Sequence, residues 1–156
     1  MSELQVVVFR LNDQLYGAEA FQVYQIIKYQ VPVKVPKMPV YIEGMINYRD
    51  TVLPVIDLSR RFDVGKTEIT KTTKIIVAKA DNKFLGFVVN DVTEIIKLEE
   101  SEIEEAPNVL KSTSGAYLKK IAKKGENLIS IIDLYSVLDK NELEGLHDEM
   151  MEEQAL

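Results

Sequence analysis

Residues 41–58 read YIEGMINYRDTVLPVIDL. An apolar run broken by Gly44 leads into a polar turn made of Asn47, Tyr48, Arg49 and Asp50. Val52, Leu53, Val55 and Ile56 follow, a β-branched run with the composition of a buried strand. Pro54 lacks an amide proton, so it predicts an edge strand or a bulge. Asp57 then stands where a carboxylate can cap a short helix over Leu58 to Phe62.

The spacing of this stretch is GxxNxRxxxxPxxDL, filled by Gly44, Asn47, Arg49, Pro54, Asp57 and Leu58. It resembles the central motif of the CheW family, the coupling proteins of bacterial chemotaxis. The family usually has Gly after the Arg, where this chain has Asp50. Asp tolerates left-handed backbone better than most residues, so the turn can survive the change.

Working outward, a second pattern emerges by self-comparison. Val6–Lys28 and Ile75–Lys97 align without gaps at an offset of 69, with six identities in 23 positions. Chance among common residues would give roughly one or two. Gly17 faces Gly86, Val23 faces Val92, and Ile26-Ile27-Lys28 faces Ile95-Ile96-Lys97. At an offset of 76, Val55-Ile56-Asp57-Leu58 faces Ile131-Ile132-Asp133-Leu134. The expectation is a duplicated, mainly β chain: residues 1–66, residues 67–138, and an acidic tail over 139–156, with Asp63 to Lys74 as the join. The competing reading is that Ile- and Val-rich strands look alike. The resemblance implies two small five-stranded SH3-like β-barrels packed on a shared apolar core. Units this small are marginal alone, so the chain is expected to behave as one cooperative domain. Tyr135 to Met151 reads as helical, because Leu138, Leu143, Leu146 and Met150 recur at helical spacing. That helix either docks a partner or packs on the body with a frayed end.

Charge and composition narrow the function. The 156 residues are 46% hydrophobic and 28% charged, as in a globular protein, and contain no Cys. No apolar run reaches membrane-spanning length, and no leader pattern is visible, so an intracellular, non-inserted protein is expected. The formal charge is −6. Residues 139–156 hold seven acids and one Lys and account for all of it, leaving eighteen acids against eighteen bases elsewhere. A neutral body with an acidic tail disfavours nucleic acid as a partner.

Catalytic and metal signatures are absent from the sequence. The single His, His147, lies in the acidic tail, and there is no HExxH, GxSxG or phosphate-cradling glycine loop. Lys111 to Gly115 has loop composition without Walker spacing. Glu99 to Glu105 is acid-rich but lacks the glycine-punctuated calcium pattern. Asp57 and Asp133 invite an acid–base proposal, yet the duplication places them in equivalent positions of different units, which favours capping. No cofactor is expected.

What remains is surface. Ala20, Val23 and Ile26 recur at three-residue spacing, and if the segment is strand and turn they cannot all be buried in a small barrel. Val23 is readable as core or as contact surface, and Arg49 as a solvated turn charge, an ion pair or an interface anchor. The resemblance implies that Val23, Ile26, Arg49 and Ile95 lie in or near a groove that receives the tip of a chemoreceptor hairpin. It implies that Gly44, Asn47, Pro54 and Asp57 form the coupling motif. Asn90 stands where the family usually has an acid, so no charged role carries over there. The function implied is non-catalytic: a cytoplasmic adaptor joining the histidine kinase CheA, through its regulatory domain, to methyl-accepting chemotaxis receptors in membrane arrays. Alternatives are a coupling protein of a twitching or other chemosensory pathway and, from another class, a small-barrel oligonucleotide binder.

Overall fold

The computed structural model describes residues 3–80, 82–108, 117–138, 142 and 145. The first half supplies β1 (Glu3–Leu11), β2 (Gln14–Glu19), β3 (Val23–Lys28), β4 (Ile42–Tyr48), β5 (Thr51–Asp57) and α1 (Leu58–Arg61). The second half supplies β6 (Lys74–Ala80), β7 (Lys83–Val89), β8 (Asp91–Glu99), β9 (Ile103–Glu105), β10 (Leu118–Lys124) and β11 (Asn127–Ile132). The mainly β class matches the β-branched apolar runs of the sequence, and β1 to β3 recur as β6 to β8.

The strands pair as two sheets, in the orders β8-β1-β2-β11-β10-β9 and β3-β6-β7-β5-β4. The pairings describe sheets rather than closed barrels. Each sheet also takes strands from both halves. The β1–β2 hairpin lies between β8 and β11, and the β6–β7 hairpin lies between β3 and β5. Residue 66 is therefore a repeat boundary in sequence but not a boundary between sheets. The physical reason is edge protection: a hairpin inserted into the other half's sheet satisfies both of its ladders.

The apolar residues divide accordingly. Val6, Val8, Leu98, Ala122, Ile129 and Ile131 fill the six-stranded sheet. Ile46, Leu53, Val55, Ile75, Val77 and Val88 fill the five-stranded one. Between the sheets lies a larger shared core that includes Phe9, Ile56, Leu58, Ile76, Phe87, Ile132 and Leu134. The repeat partners Val6/Ile75, Val8/Val77, Ile129/Leu53 and Ile131/Val55 occupy matching interiors. The duplication is thus a property of the fold and not a coincidence of composition.

Pro54 does not sit on an edge strand, since β5 lies between β7 and β4. Antiparallel pairs alternate between hydrogen-bonded and non-bonded. Counting from Tyr48↔Thr51 at the turn, Met45↔Pro54 is a non-bonded pair, so the proline nitrogen faces β7. The parallel ladder with β7 begins only at Val55. The missing N–H therefore removes no bond from either ladder.

Asp57 caps α1 as expected, accepting from the Ser59 amide at 3.1 Å. Beyond the 3₁₀ turn Leu134–Ser136, Leu138 is buried, and Glu142 and Gly145 are helical. Leu143, Leu146, His147, Met150 and the 111–115 loop lie outside the described residues.

Candidate functional site

The hairpin joining β4 to β5 has a two-residue turn, and both of its central residues are left-handed: Arg49 has φ 50° and Asp50 φ 62°. This is the signature of a type I′ turn, whose twist matches that of the flanking strands. The turn holds Arg49 out as an exposed side chain. Thr51 Oγ1 donates to the Tyr48 carbonyl at 2.7 Å and tightens the turn.

The guanidinium is not left free. Its Cζ lies 5.3 Å from the Tyr24 ring centroid and 5.5 Å from that of Tyr48. Long hydrogen bonds of 3.5 and 3.4 Å run to the Tyr24 hydroxyl and Gln25 Oε1. The Tyr48 hydroxyl donates to the same Gln25 oxygen. Phe84 meets Tyr24 and Tyr48 edge-on at 5.1 and 5.3 Å, and Lys79 Nζ lies 5.6 Å from its ring. Two cations over three aromatic rings, with Tyr24 46% exposed, make a surface suited to a protein partner.

The expected groove residues distribute unequally around this cluster. Val23 is half-buried: one side packs against the shared core and the rest is accessible. Ile26 pairs with Ile76 on the same edge strand that carries Tyr24 and Gln25. Ile95 is 57% exposed on β8, the edge strand of the other sheet, where it pairs with Val7. Ile26 and Ile95 are repeat equivalents, one on the edge of each sheet. No described contact joins Ile95 to the Arg49 cluster. Tyr24, Gln25, Lys79 and Phe84 were not singled out from the sequence. Tyr24 neighbours Val23, which was a usable signal, but Phe84 reaches the site only through the β6–β7 hairpin.

Of the residues expected to form the coupling motif, Gly44 and Asp57 hold local architecture. Gly44 has φ 145°, and a Cβ there would lie 2.1 Å from the Val33 carbonyl oxygen. Gly44 thus lets the 31–35 segment lie on β4, where Val33 and Met45 exchange bonds of 2.8 and 2.9 Å. Asn47 is exposed opposite Val52. Asp57 is fully buried and accepts from the Thr67 amide at 3.1 Å and the Thr67 hydroxyl at 2.6 Å, with Arg60 at 3.6 Å. It ties the join to the helix. Asp133 does the equivalent work, accepting from the Tyr135 amide, the Ser136 hydroxyl and Gln22. The backbone amides of Asp57 and Asp133 donate to Tyr41 and Tyr117, themselves 76 residues apart. Asn90 accepts from the Asn12 amide at 2.7 Å, a turn-stabilising contact. Among the described residues no cluster of His, Cys, Asp or Glu could hold a metal ion, and no helix is long and apolar enough to cross a membrane.

A CheW-like domain matches residues 5–142. The chain is 38% identical over 136 residues to the chemotaxis protein CheW of Bacillus subtilis, covering 87% of each chain. It is 27% identical over 138 residues to the chemotaxis protein CheW of Helicobacter pylori, covering 88% of this chain and 83% of that one. Among solved structures, it superposes on the scaffolding protein TtCheW from Thermoanaerobacter tengcongensis with a TM-score of 0.81 and 35% identity, covering 91% and 92% of the two chains. The chain belongs to the CheW-like domain family of chemotaxis coupling proteins.

Proposed function

We propose that this protein is a non-catalytic cytoplasmic adaptor that holds the kinase CheA, through its regulatory domain, beside the cytoplasmic tips of chemotaxis receptors. The observation that carries the reading is Arg49. A left-handed turn projects it, and Tyr24 and Tyr48 hold it at the rim of an edge strand that also bears Val23 and Ile26. A preoriented Arg beside aromatic and apolar groups is the composition of an interface anchor. A receptor hairpin presents helices with polar edges, which Arg49 can engage while Val23 and Ile26 meet an apolar stripe. Ile95 extends the same contact on the other sheet, as its repeat partner.

Coupling then follows from holding two partners at once: a receptor state that changes the adaptor's contacts changes its affinity for the kinase, and kinase binding changes the receptor contact by the same coupling free energy. The test is joint capture. A receptor cytoplasmic fragment and the kinase should each bind the protein, and a ternary complex should form. Binding of either partner only in the absence of the other would overturn the adaptor reading.

A further inference from the structure

A groove of about 450 Å³ lies on the face formed by the 29–43 segment, α1 and the 66–69 join. Apolar and polar groups share its lining, and three of the apolar ones are exposed: Val31, Val40 and Ile69 are 84%, 69% and 47% accessible. Lys34, Lys37, Arg60 and Lys66 line it against one acid, Glu43, which accepts from the Tyr29 hydroxyl at 3.0 Å. Of these cations only Arg60 has an ion-pair partner among the described residues, in Asp57. A groove of exposed apolar side chains and lysines, none of which has an ion-pair partner within salt-bridge distance among the described residues, fits an acidic, apolar segment.

The chain carries such a segment. Residues 143–156 contain Glu144, Asp148, Glu149, Glu152 and Glu153 with no Lys or Arg, interleaved with Leu143, Leu146, Met150 and Met151. The segment also begins beside the groove. Glu142 pairs with Arg61 at 3.1 Å and accepts from the Tyr41 hydroxyl at 2.6 Å. Arg61 stacks over Tyr41 at 4.8 Å and donates to the Val137 carbonyl. Tyr41 and Arg61 are the sequence neighbours of the groove residues Val40, Ile42 and Arg60. We infer that this groove is a docking surface for the chain's own C-terminal residues 143–156. The lysines meet the tail's carboxylates, and Leu146 and Met150 cover Val31, Val40 and Ile69. The tail thereby competes with any acidic partner segment for that face. The inference is independent of the Arg49 site, which lies on the β4–β5 turn and β3.

The absence of Cys gives a direct test in the 156-residue chain. Met150→Cys supplies a single thiol for a nitroxide label, read by amide signals of the same isotopically labelled protein. The expected result is loss of amide intensity at Val31 to Val40 and at Lys66 to Ile69, restored when the label is reduced. Lys34→Glu combined with Lys66→Glu should restore those signals while the rest of the spectrum stays that of the folded chain. Adding salt should weaken the effect. Signal loss elsewhere, no loss at all, or loss that survives the double charge reversal would each overturn the proposal. So would equal loss when the nitroxide and the isotope are carried by different copies mixed together, which would make the occupant a second copy's tail.

Discussion

Gly17 and Gly86 occupy the same place in the two sheets. A Cβ on Gly17 would meet Val6 Cγ1 at 2.5 Å and Ile129 Cγ2 at 3.3 Å; one on Gly86 would meet Ile75 Cγ2 at 2.9 Å and Leu53 Cδ2 at 3.2 Å. Val6 and Ile75 are repeat partners, as are Ile129 and Leu53. Each glycine also pairs with its own hairpin partner, Val8 or Val77, and lies parallel to Ile131 or Val55. Overpacking of this kind costs about 1–3 kcal/mol. Gly17→Ala and Gly86→Ala should both destabilise, the first more than the second, because its contact is closer and falls on a short branched side chain. Urea unfolding decides it; a neutral Gly17→Ala would show that the interior relaxes freely.

Arg49→Ala should weaken receptor-fragment binding by about 1–3 kcal/mol, the range for an interface anchor. Stability should fall by less than about 1 kcal/mol, since the lost contacts are two exposed cation–π pairs and long hydrogen bonds. Arg49→Lys should recover only part of the affinity, because a planar guanidinium stacks where an ammonium does not. Kinase binding should survive. Equal loss toward both partners, measured on the same folded variant, would remove Arg49 from the receptor site.

Asp50→Gly should stabilise the protein. Asp50 has φ 62°, and left-handed backbone costs a non-glycine residue about 1 kcal/mol. The gain should approach that figure in urea titration, with receptor affinity unchanged. Destabilisation instead would mean that the Asp50 carboxylate makes a contact worth more than the strain.

Asp57 and Asp133 are equivalent caps with unequal burial. Asp57→Ala strands the Thr67 and Ser59 amides in the interior and should cost about 2–4 kcal/mol. Asp133 is partly exposed, so water can replace its bonds, and Asp133→Ala should cost about 1–2 kcal/mol. Thermal melts of the two variants should keep this order, and a reversed order would contradict the burial argument.

Burial raises the Glu43 carboxyl above its ordinary 4.5, an effect the Tyr29 hydrogen bond only partly opposes. Burial, followed by the charge of Glu43, pushes the Tyr29 phenol up to about 12. The folded state therefore holds the Glu43 proton more tightly than the unfolded chain does. That contribution to stability is fully present below pH 4.5 and is lost as pH rises through the raised value. Glu43→Gln cannot ionise, so its stability relative to the parent should rise from pH 4.5 toward neutrality. A difference that stays constant from pH 4 to pH 8 would show that Glu43 titrates alike in both states.

The sequence by itself determined what depends on neighbours along the chain. The strand–turn–strand of residues 41–58, the Asp57 cap, the paired glycines and the repeat were legible because hydrogen-bond preference and apolar periodicity act over a few residues. So was the family motif, including the exposed turn that carries Arg49. Only the tertiary structure decided which half completes which sheet. Inserting β1–β2 between β8 and β11 depends on surfaces far apart in sequence: Gln22 bonds Asp133 and the Leu134 amide across 111 and 112 positions. The edge-strand alternative for Pro54 failed for the same reason, since its strand is interior; the β4–β5 ladder instead has its irregularity opposite Val55 and Ile56, and the proline nitrogen faces an unpaired point of the ladder. Tyr24 reaches Arg49, Phe84 and Lys79 extend that cluster, and the lysines gather along one groove, only after those long-range pairings form. Burial of the shared core selects the pairings, and that core exists only when both halves are present.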